Sequence, residues 1–198
     1  MNDATLKKII AFGLRNKAEI LALADYFEPE DIEDGCLKVP DYLVNVGLKE
    51  RIMSIQALQE YLKDYTMLFQ NGCIMLDLRL NLKQLGPVAA KYLFSIKDLR
   101  FSEEGTRIYA SFQEDVSSLG NVMQSMALKA AISGGSALQR AIKLTKADFI
   151  FVDQHQLMID LSRIEPVQKA AEFFELLYLD SAEGYLKFKF YYAGGEKG

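Results

Sequence analysis

His155 is the only histidine of the chain, and it stands between Gln154 and Gln156 with Asp153 and Asp160 close by in sequence. An imidazole titrates near neutral pH and could act as a general base or a metal ligand. Asp153 and Asp160 could supply a carboxylate pair. Neither set completes itself. A nucleophilic triad or a histidine-based metal cluster needs partners at suitable spacing, and none is visible. Asp160 alternates with Leu157, Ile159 and Leu161, which puts it on the wet face of a strand.

The other candidate chemistry is equally incomplete. Cys36 and Cys73 are the only thiols, and each follows a turn glycine and opens a strand. Two cysteines make neither a disulfide framework nor a metal site. Two buried free thiols are expected, with a single bridge as the alternative. Gly134–Gly135–Ser136 lacks the glycine spacing and the lysine of a phosphate loop, and no GxGxxG, GxSxG or HExxH occurs. The acidic run Glu28, Glu30, Asp31, Glu33, Asp34 lacks the alternating ligands of a calcium loop and reads as a solvated turn. The sequence therefore points to no catalytic residue, no metal and no cofactor.

Composition bounds the remaining classes. The chain has 198 residues, half of them hydrophobic, enough for one domain with a sizeable core. A single domain over 1–198 is expected, with 1–30 as an N-terminal helix or appendage and 70–192 as the core. The net charge of −4 argues against general nucleic-acid binding. Apolar runs fall short of the roughly 20 residues that span a bilayer. Arg15 and Lys17 interrupt the N-terminal apolar run too early for a secretion signal. These features predict a cytoplasmic protein.

The stretch Gly120–Ala147 stands apart. It is rich in Ala and Met and carries Lys129, Arg140, Lys143 and Lys146 with no acid. Met123, Met126, Ala127, Ala130, Leu138, Ala141 and Ile142 recur at three- and four-residue steps, which predicts a long amphipathic helix. Gly134–Gly135 interrupts it. Each glycine costs about 1 kcal/mol in a helix interior, so a kinked single helix and a helix–turn–helix are both open.

The flanking elements follow from periodicity. A helical stripe runs from Leu6 to Phe27 and stops at Pro29. Strand patterns cover Cys36–Leu48, with an edge or bulge at Pro40, and Ile74–Leu82, the clearest alternation in the chain. Two more cover Tyr92–Phe101, whose phase shifts around Asp98, and Thr106–Gln113. A hairpin is predicted for 149–161, and a last strand for the run holding Leu186, Phe188, Phe190 and Tyr192. Ile55, Leu58, Leu62, Tyr65 and Phe69 have helical spacing, which predicts a helix from 55 to about 66. Val167, Ala170, Ala171, Phe174, Leu177 and Tyr178 predict another, opened by Pro166. The pattern adds up to an α+β fold: a curved antiparallel sheet of about six strands wrapping a long central helix, with flanking helices.

The order of turn–strand units, long helix, the strand Gln156–Leu157–Met158–Ile159–Asp160–Leu161, a proline-started helix and a final Gly184–Tyr185–Leu186–Lys187–Phe188 strand resembles bacterial tubular lipid-binding (TULIP-like) domains. The likeness covers roughly residues 70–192 and lies in layout and apolar rhythm, not in a diagnostic motif. It implies an apolar groove between sheet and helix that holds acyl chains. Members of such families are often exported, and this chain departs from them in showing no export signal.

The leading expectation is non-catalytic binding of an apolar or lipid-like ligand. Met123, Met126, Ala127, Ala130, Leu138 and Ile142 would line the groove. Lys129, Arg140, Lys143 and Lys146 would meet an anionic headgroup or a membrane surface, making peripheral membrane contact an expected partnership. The alternative is a protein-interaction or structural domain with a packed core, homodimeric through the N-terminal helix.

Overall fold

The computed structural model describes Tyr26 and residues 35–83, 85–145 and 148–192. The expected N-terminal helix, apart from Tyr26, and Lys146 lie outside the described residues. Among the described residues nine strands form one antiparallel sheet. They are β1 (Cys36–Pro40), β2 (Leu62–Gln70), β3 (Cys73–Leu82), β4 (Gly86–Ser102), β5 (Gly105–Ser118), β6 (Ile150–Asp153), β7 (Gln156–Asp160), β8 (Phe174–Ala182) and β9 (Tyr185–Tyr192). The helices are short: α1 (Lys49–Met53), α2 (Gln56–Gln59), α3 (Val122–Ile132), α4 (Ala137–Thr145) and α5 (Glu165–Ala171).

The long β4–β5 hairpin is the spine. β5 pairs with β4 along nearly its whole length, from Ser102↔Gly105 to Val88↔Ser118. The other edge of β4 is shared. Its first half pairs with β3, from Leu82↔Gly86 to Ile74↔Phe94, and its far end pairs with β8 at Arg100↔Leu177 and Phe101↔Leu176. Between these partners the register of β4 shifts between Ile96 and Asp98. This bulge is the phase change that the sequence pattern showed at Asp98, and it lets one strand serve two neighbours by bending the sheet. The β2–β3 and β8–β9 tips then meet: Gly72 N donates to Ser181 O (2.9 Å), and Gly184 N donates to Phe69 O (2.9 Å).

Alternation decides the two faces. Leu76, Leu78 and Leu80 of β3 register with Tyr92, Ala90 and Val88 of β4, and these with Glu114, Val116 and Ser118 of β5. The same face continues through Ala110 and Phe112 to Leu157 of β7. Ala90, Tyr92, Ala110, Phe112 and Leu157 form the buried centre of this layer, and Leu138 of α4 packs on it.

The free edge of β2 is closed by side chains. The strand is preceded by α1, α2 and a π-helical turn at Leu43–Gly47. From that turn the Asn45 amide donates to Met67 O (2.6 Å) and accepts from Met67 N (2.8 Å), while Lys49 Nζ donates to Tyr65 O (3.2 Å). An edge strand with its backbone groups occupied in this way is a poor template for a further strand.

Several expectations are corrected. The long central helix does not exist: α3 and α4 are separate, divided at residues 133–136. The sheet has nine strands, not about six, and it dominates the molecule rather than wrapping a helix. Residues 62–66 and 174–178 are strand, in β2 and β8, rather than helix. β1 is also shorter than the expected strand, ending at Pro40 where the π-helical turn approaches. The hairpin predicted for 149–161 is β6–β7; Cys36 and Cys73 are free thiols as expected, but half-buried rather than buried.

Candidate functional site

Glu114 of β5 determines where α4 lies. Its carboxylate faces the core layer and accepts from Ser136 Oγ (3.0 Å), Ala137 N (2.7 Å) and Leu138 N (3.1 Å). It thus occupies the positive N-terminal end of α4 and satisfies backbone donors that have no partner within the helix. Gly135 has φ of 152°, a conformation that favours glycine, and this turns the chain between α3 and α4. α3 begins with its own local cap, a reciprocal pair between Asn121 and Gln124.

Fixed in this way, α4 lies against the sheet edge formed by β6. Gln139 Nε2 donates to Val152 O (3.1 Å), which joins the helix to this edge strand. Between them opens a cleft of about 460 Å³. Its walls are apolar: Ile142 from α4, Ile150 and Val152 from β6, and Leu157 and Met158 from β7. Tyr109 and Phe151 extend it around the sheet edge, and Lys143, Gln139 and Asp153 supply polar groups.

A second, more polar depression of about 560 Å³ lies at the other end of α4. Glu114, Ser136, Asp153 and His155 contribute to it. The His155 ring packs on Phe112, with centroids 5.6 Å apart, and His155 O accepts from Phe112 N (2.9 Å). Ser136 donates its hydroxyl proton to Glu114 and accepts from Gln139 N (3.3 Å). This serine is therefore a helix cap, not a nucleophile paired with His155. Asp160, the other candidate acid, accepts from Ser162 Oγ and Ser162 N; with Arg107 and Arg163 nearby, these bonds hold its carboxyl below the usual carboxylate range. Among the described residues no group of histidine, cysteine and carboxylate side chains could hold a metal ion.

The residues singled out by sequence divide three ways. Ile142 and Lys143 line the apolar cleft, and Leu138 packs on the core beside it. Met123, Met126, Ala127, Ala130 and Lys129 are together on the outer, exposed side of α3, away from the sheet. Arg140 is exposed on α4, with its guanidinium against Gly134. The residues that sequence reasoning missed are Leu128, the buried anchor of α3, and Glu114. Leu128 lies outside the repeat of Met123, Met126, Ala127 and Ala130, on the opposite side of α3, and because both sides carry apolar residues the spacing alone did not show which one meets the sheet. Glu114 breaks the apolar alternation Ala110, Phe112, Val116 on the core face, and that break was a usable signal.

Burial gives the layer one titration signature. Burial raises the hydroxyl pKa of Tyr92 far above its ordinary value, and the carboxylate of Glu114 opposite adds to the shift. Burial also raises Tyr65 and Tyr178. In the unfolded chain these groups ionise near pH 10. Their stabilising contribution is complete below that pH and is lost as pH rises towards the folded values. Denaturant midpoints followed from about pH 8 to pH 11 should fall above about pH 10, and Tyr92→Phe should flatten the decline. An equally steep fall in that variant contradicts the assignment.

No protein-family model matches the chain, and neither a curated protein nor a solved structure matches it. No helix among the described residues is long and apolar enough to cross a membrane.

Proposed function

We propose that the protein binds, without catalysis, an amphipathic small molecule whose apolar body lies in the cleft between α4 and β6. The observation that carries this reading is the cleft itself: about 460 Å³, walled by Ile142, Ile150, Val152, Leu157 and Met158, with Lys143 at its side. Small-molecule sites are commonly of this size, mostly apolar, with a few polar groups that fix orientation. Lys143 suits an anionic end, and Gln139 suits a neutral one.

The test uses two fluorescent probes, a long-chain fatty acid and its methyl ester, with native mass spectrometry of the freshly purified protein. Both probes should bind saturably. Ile142→Asp should weaken both by about tenfold or more, since burying a side chain of this size is worth roughly 1.5–3 kcal/mol. Lys143→Glu should weaken only the acid, by about fivefold, the scale of one exposed ion pair. Absence of saturable binding together with a ligand-free mass, or binding indifferent to Ile142→Asp, rejects the cleft as a site.

A further inference from the structure

The outer face of α3 is apolar where a surface helix is ordinarily polar. Val122, Met123 and Met126 are 75%, 80% and 66% exposed, and Leu119 extends the patch just before the helix. Ala127 and Ala130 are exposed between them. The opposite side is anchored by Leu128, which is 4% exposed. A helix apolar on both sides is normally enclosed, so the outer side of α3 is built for a neighbour.

Three features select that neighbour. The exposed positions from Val122 to Ala130 carry no hydrogen-bonding side chain except Lys129. Protein interfaces use about one hydrogen bond per 100–200 Å², whereas the boundary of a bilayer needs none. The charge is one-sided: Gly120–Ala147 holds four cations and no acid in a chain of net charge −4. Lys129 stands three residues from Met126 and seven from Val122, on the same side of the helix. Arg140 brings its guanidinium to the C-terminal end of α3, where it lies against Gly134. The methionines are unbranched and flexible, which suits a disordered apolar medium.

We propose that α3 lies in the plane of an anionic bilayer surface, with Val122, Met123 and Met126 buried at the headgroup–acyl boundary and Lys129 and Arg140 among the headgroups. At about 16 Å the helix is too short to span and long enough to lie flat. This surface is separate from the α4–β6 cleft and does not depend on it.

The chain contains no tryptophan, so Met126→Trp introduces a single reporter. Its emission should shift to the blue with vesicles of phosphatidylglycerol and phosphatidylcholine, and stay in place with phosphatidylcholine alone. In co-sedimentation the unaltered protein should pellet with the anionic vesicles and Met126→Asp should not. Lys129→Glu and Arg140→Glu should each lower partitioning about fivefold or more, the scale of one basic side chain at an anionic surface, and salt should have the same effect. All three positions are exposed, so circular-dichroism melts of the variants should match the unaltered protein. Ile142→Asp should still pellet, which separates this surface from the cleft. Emission unmoved by anionic vesicles, or equal pelleting of Met126→Asp, overturns the proposal. Concentration-dependent dimers lost in Met126→Asp, with no vesicle binding, would give the face to a second copy of the chain and also overturn it.

Discussion

Phe112→Ala should lower the free energy of unfolding by about 3–5 kcal/mol, the usual cost of removing a fully buried aromatic ring. Phe112 is 2% exposed and sits where β4, β5 and the β6–β7 turn converge. Its ring meets Tyr92, Phe94 and His155 at centroid distances of 6.3, 6.0 and 5.6 Å. Tyr92 and Phe94 belong to β4, which is paired on both sides here, so the space left by the ring cannot collapse easily. The backbone bond from Phe112 N to His155 O survives the substitution, so the loss is one of packing rather than of strand pairing. Marginal stabilities of about 5–15 kcal/mol make this a large fraction of the whole. Urea unfolding should show a much lower midpoint at an unchanged slope. A loss below about 1 kcal/mol would mean that the layer around Ala90 and Ala110 is not the core on which the sheet depends.

Glu114→Ala should be nearly as costly, about 3 kcal/mol, for a different reason. It removes one carboxylate but strands three donors, Ser136 Oγ, Ala137 N and Leu138 N. Ser136 is buried, so water cannot readily replace the lost acceptor. Hydrogen bonds to a charged group are worth about 1.5–3 kcal/mol each, and a lost helix cap alone costs about 0.5–2 kcal/mol. Glu114→Gln should fall between the two, because its amide keeps one acceptor and turns a donor towards a donor. The effect should be local as well as global. Amide hydrogen exchange should rise first in α4, which the Glu114 carboxylate caps, while β3 and β4 stay protected. Uniform acceleration across the sheet would show that Glu114 acts on the core rather than on α4. Because α4 forms one wall of the cleft, the same variant should lose affinity for both fatty probes.

The sequence by itself determined those elements whose burial pattern is local. Leu76, Leu78 and Leu80 alternate with polar residues and form β3; Leu186, Phe188 and Phe190 do the same in β9. The phase change at Asp98 is the bulge of β4, visible because a bulge inserts one residue into a period of two. The same device hid β2. Its register shifts between Leu62 and Asp64, so the buried residues Leu62, Tyr65 and Phe69 are three and four positions apart and imitate a helix. β8 also carries a shift, between Tyr178 and Asp180, and its inward residues Phe174 and Tyr178 continue the helical spacing of α5. There only the pairing with β9 and with the end of β4 decides for strand, since a ladder satisfies backbone groups that a lone helical turn beyond Ala171 would not.

The tertiary structure alone decided the central stretch. Gly134–Gly135 marked a weak point but fitted a kink and a turn equally well. What separates α3 from α4 is Glu114, more than twenty residues upstream, because its carboxylate offers the new helix a start that an unbroken helix would forgo. The spacing in α3 grouped Met123, Met126, Ala127 and Ala130 as the groove-lining face, and the structure puts that face outside. Apolar residues lie on both sides of this helix, so contact with β5, and not its own pattern, turned Leu128 inward and left Met123 and Met126 outside.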